Sequence, residues 1–236
     1  MCLLCYRWLD RWEPEPTRLT VMALIWGGSA GVIFSFLVEM AIPASEFVTM
    51  AIVAPLAEEL AKASVFILVA TGARKLELTS LTDHIFYAGI CALGFAFVEN
   101  LGYFALSSSA GEFVVMALVR TGFGVFGHPL YTTATAVGIW AWRTKGGLWK
   151  AAVGYIAACL LHGLWNGGPT LLAGSLGLDD TGQLAAMILV YIVLFVPVFI
   201  GTIIMTTRNR RNEYEAVRSQ LPLMVEAGLV TPAEAD

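Results

Sequence analysis

The sequence predicts an all-α, polytopic membrane protein: a transmembrane bundle of about six helices, as the usual span length allows, with both termini in the cytoplasm. Of its 236 residues, 58% are hydrophobic and only 14% are charged, whereas soluble domains carry about 25% charged residues. Its apolar stretches are each long enough to cross a hydrocarbon layer about 30 Å thick. They are continuous and do not alternate with a period of two, which excludes a transmembrane barrel.

The predicted spans follow one another with short connections. They cover about Leu19–Glu39, Glu46–Thr71, His84–Ser107, Glu112–Trp142, Trp149–Ala173 and Gln183–Thr207. The chain is thereby divided into a cytoplasmic N-terminal segment (residues 1–18), a six-helix membrane core (19–207) and a cytoplasmic tail (208–236). Apolar residues of the tail recur at spacings of three and four, which is typical of an amphipathic helix on a membrane surface.

The basic residues predict the orientation in the membrane. Twelve of them precede the first predicted span, follow the sixth, or lie in the second and fourth connections: Arg7, Arg11, Arg18, Arg74, Lys75, Arg143, Lys145, Lys150, Arg208, Arg210, Arg211 and Arg218. The other three connections contain no Lys or Arg. The positive-inside rule therefore places both termini in the cytoplasm, in a bacterial-type cytoplasmic membrane. The net charge of -4 leaves no basic surplus for nucleic acid, so the lipid bilayer is the expected surrounding.

A set of ionisable residues lies within the predicted spans. Besides the two remaining basic residues it contains three glutamates and two histidines: Lys62, Arg120, Glu58, Glu59, Glu99, His128 and His162. A charge at mid-membrane costs about 2.5–3.5 kcal/mol, so such residues are normally functional. Formally, three glutamates and two basic residues sum to one negative charge, and one shared proton makes the set neutral.

Four of these residues have a similar depth. Glu58, Glu99, His128 and His162 lie 12 to 16 residues into their predicted spans, which is about 18–24 Å along a helix. We therefore expect side chains from four helices to meet at one level of the membrane.

Helical spacing adds supporting residues to this level. Lys62 follows the two adjacent glutamates by four and three residues, so its ammonium can pair with either carboxylate. Tyr103 follows Glu99 by four residues, and Asn166 follows His162 by four. Each of these pairs shares one face of its helix.

Four sequence elements carry these residues, in order: EExxK at 58–62, FxxxENxxY at 95–103, an isolated His128 and HGLWN at 162–166. Together they resemble the PrsW family of intramembrane proteases, which is related to the CAAX prenyl proteases and to bacteriocin-processing membrane enzymes. The resemblance covers about residues 55–166. It implies hydrolysis of a peptide bond in or near the transmembrane segment of a single-span membrane protein.

The resemblance also implies a set of site residues. The catalytic candidates are Glu58, Glu59, Glu99, His128, His162 and Asn166, with Lys62, Arg120 and Tyr103 as charge-balancing and supporting residues. We expect Glu58 to be the general base that deprotonates a water, with Glu59 as the alternative. His162 and Asn166 would hold the oxyanion or the water, and the other two candidates would orient the water or protonate the leaving amine.

Zinc is an alternative use of the same residues, because two carboxylates and two imidazoles can bind it and leave one position for water. The sequence contains no HExxH motif, and the ligands would come from four different helices. It therefore favours a metal-free glutamic mechanism, in which no cofactor is required, and leaves the metal question open.

Two functions of other classes compete with proteolysis. Mid-membrane Glu and His residues also serve as proton relays in transporters, although the sequence contains no inverted pair of interrupted helices. A catalytically inactive scaffold that binds transmembrane helices is the other alternative.

Glycines raise two further points. Gly122, Gly124 and Gly127 predict a loosened fourth span that can admit a substrate. Gly27 and Gly31 form a GxxxG spacing that can pack within the chain or between chains, so the oligomeric state stays open.

Overall fold

The computed structural model describes residues 2–9, 14–69 and 78–235, and this part of the chain contains helices and no β-strand. Helices make up 88% of the structure, so the predicted all-α class is confirmed. In chain order they are α1 Cys2–Leu9, α2 Thr17–Ala41, α3 (residues 46–63), α4 Val65–Val69, α5 Leu81–Ala105, α6 Ala110–Lys145, α7 Trp149–Leu176, α8 Thr181–Glu226 and α9 Pro232–Ala235.

Four of the described helices, α2, α5, α6 and α8, are long and apolar enough to cross a membrane. They correspond to the first, third, fourth and sixth predicted spans. The second predicted span covers α3, which carries four charged side chains, and the short α4, and its last two residues lie outside the described part of the chain. The fifth predicted span forms α7, which contains the polar residues of the HGLWN element. Six spans therefore remain a prediction. So does the orientation, to which Arg11, Arg74 and Lys75 contribute from outside the described residues.

Short polar side chains begin several of the helices. The hydroxyl of Ser80 accepts a hydrogen bond from the backbone of Asp83, whose carboxylate bonds back to the Ser80 N–H and completes a capping box at the start of α5. Ser45 at the start of α3, Ser109 at the start of α6 and Asp179 at the start of the last long helix each accept one hydrogen bond from the backbone N–H three residues further on. Such caps pair backbone N–H groups that a helix start leaves without partners.

The last long helix continues through the predicted boundary at residue 208. α8 runs without a break to Glu226, well into the predicted tail. Its exposed part contains the ion pair between Arg211 and Glu215, four residues apart, with 2.8 Å between nitrogen and oxygen. Good helix formers and such pairs extend a helix into water, so the change from apolar to charged residues does not end it.

Four of the described helices contain one turn of π-helix, at Gly27–Gly31, Thr49–Val53, Val119–Phe123 and Tyr191–Phe195. In α6 a 3₁₀ turn, Gly124–Phe126, follows the π turn directly. The predicted loosening of the fourth span is therefore confirmed, and it ends just before His128. Turns of this kind leave backbone groups without their usual helical partners, and π turns are frequent at functional sites.

α5 is the central helix of the bundle, with 15 of its 25 residues buried. It crosses α2 where glycines bring the two backbones together. A Cβ on Gly27 would overlap the carbonyl oxygen of Cys91, and a Cβ on Gly94 would overlap that of Leu24. The first glycine of the GxxxG spacing thus packs within the chain.

Gly94→Ala is expected to destabilise the protein by about 1–3 kcal/mol, the usual cost of adding a methyl group to a filled interface. Gly102→Ala on the same helix is the matched control, because a Cβ there meets nothing within 4 Å. Thermal unfolding in detergent measures both. Equal midpoints for the two variants would contradict the close crossing of α2 and α5.

Candidate active site

Lys62 lies at the centre of the polar residues. Its ammonium, 0% exposed, donates to Glu58 Oε2 at 3.1 Å and to Glu59 Oε1 at 2.8 Å, both on its own helix α3. It also lies 2.7 Å from His128 Nδ1 on α6 and 4.3 Å from the centre of the Phe95 ring on α5. An ammonium has three protons, and the three polar contacts use them all.

The two adjacent glutamates have different surroundings. Glu59 is 0% exposed, and both of its oxygens are engaged: Oε1 by Lys62 and His162, and Oε2 by the hydroxyl of Thr132 at 2.9 Å. Glu58 lines a cavity. Glu58 is therefore the carboxylate that a water can reach, and Glu59 is a structural acceptor.

The contacts of His128 define which of its nitrogens carries the proton. Because an ammonium can only donate, Nδ1 of His128 accepts from Lys62. The ring proton is then on Nε2, which lies 3.0 Å from Glu99 Oε2. Glu99 is held in turn by Arg120 on α6, which also donates to Asn100.

His162 on α7 contacts both glutamates of α3. Its Nδ1 lies 3.1 Å from Glu59 Oε1, and its Nε2 lies 3.8 Å from Glu58 Oε2. Since Glu59 accepts from its other partners, Nδ1 of the neutral ring donates to it. Nε2 is then left with a lone pair directed toward Glu58.

Asn166 binds the backbone of α3 instead of the charged residues. Its Nδ2 donates to the carbonyl oxygen of Met50 at 3.0 Å. That oxygen lacks a helical partner because the N–H of Ala54 donates to Thr49 in the π turn, and Pro55 has no N–H. The side chain of Asn166 thus satisfies a carbonyl that the π turn has released.

The predicted residues therefore come together from four helices, as the sequence indicated. Polar contacts join all the charged candidates and the two histidines. Tyr103 is linked through its ring, which lies 3.8 Å from the guanidinium carbon of Arg120. Asn166 lies beside the charged residues without a hydrogen bond to them among the described contacts.

Two cavities adjoin these residues. One, of about 400 Å³, lies between α2, α3 and α5 and is lined by Glu58 and Glu99, with Glu39 also in its wall. The other, of about 390 Å³, lies between α5, α6, α7 and α8 and is lined by His128 and Arg120. Met50, Tyr103 and Asn166 line both.

A family model described as PrsW family intramembrane metalloprotease matches residues 15–202. The chain belongs to this family. No match is found among curated proteins or among solved structures. The predicted resemblance is thus confirmed, and this PrsW-family protein is an integral membrane protein and a membrane peptidase. The roles of its individual site residues stay predictions.

Three residues of this PrsW-family protein have the ligand types that a metal site needs. One ligand atom from each of Glu58, His128 and His162 lies within 4.8 Å of the others. Ligands of tetrahedral zinc are about 3.3 Å apart for bonds of about 2.0–2.1 Å, close to the 3.7 and 3.8 Å between Glu58 Oε2 and the two imidazoles. Lys62, however, already binds Glu58 Oε2 and His128 Nδ1.

Three neighbours of the site had no role assigned from the sequence: Asn100, Tyr131 and Thr132. Thr132 follows His128 by four residues, and this spacing is the signal that places it on the same face. Asn100 follows Glu99 directly within the FxxxENxxY element. Tyr131 stacks on the ring of His162, with centroids 4.6 Å apart, and no sequence spacing indicates a contact between two different helices.

Thr132→Val is expected to lower the free energy of unfolding by about 1–3 kcal/mol, because it leaves one oxygen of the buried Glu59 carboxylate unpaired. Thr133→Val is the matched control. Both hydroxyls lie near the carbonyl oxygen four residues earlier, at 2.9 and 2.8 Å, but only Thr132 also reaches a glutamate. Denaturant unfolding in detergent distinguishes them, and equal losses would rule out a specific bond to Glu59.

Proposed function

We propose that this PrsW-family protein is a glutamic intramembrane protease that cleaves a single-span membrane protein in or near its transmembrane segment. In this proposal Glu58 is the general base. The observation that carries it is the difference between the adjacent carboxylates: Glu58 lines a cavity, whereas Glu59 is enclosed and hydrogen-bonded at both oxygens. This difference favours Glu58 over the alternative left open by the sequence.

The proposed water lies between Glu58 Oε2 and His162 Nε2. These atoms are 3.8 Å apart, so one water can hydrogen-bond to both. Glu58 takes a proton from it as the water oxygen attacks the substrate carbonyl, and the same proton then passes to the leaving amine. Glu59 supports this step by accepting a hydrogen bond from Nδ1–H of His162. This bond keeps the proton of the ring on Nδ1 and the lone pair of Nε2 directed toward the water.

His128 and Arg120 border the cavity between α5, α6, α7 and α8, and Glu99 lies between them and lines the other cavity. The Glu99 carboxylate bonds both partners and holds the imidazole against Lys62. We assign this group of three side chains a positioning role for Glu58, because His128 and Glu58 both contact the ammonium of Lys62. The proposed substrate lies in the cavity bordered by His128 and Arg120, next to the loosened turns of α6.

The position of Lys62 supports a mechanism without a metal. Its ammonium already neutralises Glu58 and occupies the lone pair of His128 Nδ1, and these are two of the three residues that could bind zinc. Zinc at Glu58, His128 and His162 would supply a polarised, activated water. Lys62 would have to break its contacts with Glu58 and His128 before these residues could bind zinc.

Glu58→Gln is expected to reduce cleavage by at least about 10²-fold, because an amide cannot accept the proton of the water. The assay is cleavage of candidate single-span proteins by reconstituted protein, with thermal unfolding to verify the fold. Glu215→Gln, on the exposed part of α8, is the control and should leave the rate unchanged. Unimpaired cleavage by Glu58→Gln would disprove the proposed base.

The same reconstitution separates the competing functions. A scaffold binds the candidate proteins without cleaving them. A transporter moves protons across the vesicle membrane in the absence of any cleavage. Either result for the parent protein would contradict proteolysis.

Metal dependence is tested on purified, active protein. We expect zinc well below one equivalent and full activity after treatment with a strong chelator, because Lys62 holds the position of the cation. Metal analysis and the cleavage assay are performed on the same samples. Loss of activity on chelation and its recovery with one equivalent of zinc would establish the metalloprotease mechanism instead.

Six spans with both termini in the cytoplasm complete the proposal. Four apolar helices support it, and α3 and α7 meet beside them through Asn166 and Met50. Arg143, Lys145 and Lys150 lie together at the turn between α6 and α7, which the positive-inside rule assigns to the cytoplasm.

A further inference from the structure

Tyr131 has a buried hydroxyl with no hydrogen-bond partner in the part of the chain that the structure describes. The residue is 1% exposed. It lines the cavity between α5, α6, α7 and α8, together with His128, Arg120 and Asn166. Other buried polar atoms also lack a partner, but Tyr131 is the one among them that lines either cavity of the site. Its hydroxyl is therefore an unused donor next to the proposed chemistry.

The ring of Tyr131 is held firmly by its neighbours. It stacks on His162 with an angle of 18° between the planes, and it meets Phe195 edge to face at 5.4 Å. Side chains in a helix lean toward the preceding turn, and here the hydroxyl lies over Gly127. A Cβ on Gly127 would lie 2.8 Å from the Tyr131 oxygen, so this glycine leaves room for the phenol.

The unpaired hydroxyl has a cost for stability. Burying a hydroxyl without a partner costs about 1–3 kcal/mol. Phenylalanine would keep the ring contacts with His162 and Phe195 and avoid that cost. Packing therefore explains the ring of Tyr131 but does not explain its hydroxyl.

Peptide hydrolysis needs a hydrogen-bond donor for the developing oxyanion, and the two donors nearest to Glu58, which are Lys62 and His162, are already used within the site. The carbonyl oxygen of the substrate becomes negative as water attacks, and a preorganised donor must face it. All three protons of Lys62 are used within the site. The Nδ1 proton of His162 is directed to Glu59, and one of the two Nδ2 protons of Asn166 is directed to Met50.

We propose that Tyr131 is a catalytic residue whose hydroxyl donates a hydrogen bond to the oxyanion of the tetrahedral intermediate. This inference rests on the proposed function. As the water oxygen bonds to the carbonyl carbon, the π electron pair moves to the carbonyl oxygen, which accepts the hydrogen bond of Tyr131. The carbonyl then re-forms, the C–N bond breaks, and the proton held by Glu58 passes to the amine. Tyr131 keeps its own proton throughout.

Tyr131→Phe is the test, with a transmembrane peptide that the parent cleaves as the substrate. The turnover number is expected to fall about 10²-fold, the loss typical of removing one oxyanion donor, while KM changes little. Thermal stability should stay the same or rise, because an unpaired buried hydroxyl is removed. A merely structural hydroxyl would leave the turnover number unchanged.

Thr135→Val is the matched control. Thr135 lies one turn further along α6, and its buried hydroxyl also lacks a partner among the described residues, but it lines neither cavity of the site. Its removal is expected to leave turnover unchanged. An equal fall in both variants would show that any buried hydroxyl of α6 affects the rate, and would overturn the assignment to Tyr131.

A binding measurement gives an independent readout. A phosphinic version of the same peptide, with a tetrahedral phosphorus at the cleaved bond, is expected to bind Tyr131→Phe at least tenfold more weakly than the parent. Equal affinity, with turnover within twofold of the parent, would overturn the inference while loss of activity in Glu58→Gln still supports the proposed function. Full activity of Glu58→Gln would overturn the proposed function itself.

Discussion

The ammonium of Lys62 is the interaction on which the rest of the site depends. Two adjacent carboxylates would be too costly to bury without a cation, and Lys62 binds both of them. Its third proton binds His128 on another helix, and this contact determines which nitrogen of that imidazole donates to Glu99. One buried charge thus joins α3 to α6 and orients the groups on either side of it.

Interruptions of the helices have equally specific effects. The π turn of α3, together with Pro55, releases the carbonyl oxygen of Met50, and Asn166 satisfies it from α7. This bond fixes the helix that carries Glu58 against the helix that carries His162. The irregular turns of α6 lie just before His128 and beside the cavity. A backbone that departs from the α-helix is tolerated at membrane depth where it is buried in protein or borders a cavity.

The two cavities give the proposed reaction two separate approaches. Glu58 and Glu99 border the cavity that also contains Glu39, a polar wall suited to water. Arg120 and Tyr131 border the other cavity, whose lining combines apolar and polar side chains of α6, α7 and α8. The second cavity offers a substrate segment both apolar contacts and hydrogen-bonding groups. Asn166 lines both cavities, and in the proposed reaction the water and the substrate carbonyl meet beside it.

The sequence by itself determined the helical membrane class, the family and the residues that converge at the candidate site. Apolarity, helical spacing and short motifs are local properties, so the spacing along one helix is enough to pair Lys62 with Glu58 and Glu59. It also predicted the loosened turns of α6, because glycine acts through its own backbone.

Only the tertiary structure decided which partner each side chain of the site has. Glu58 and Glu59 are equivalent in the sequence and differ because Thr132 and His162 enclose one of them. Gly27 packs against α5 within the chain, and Tyr131 stacks on His162. These outcomes depend on which faces of different helices cross and at what distance, and residue spacing along one helix carries no information about that.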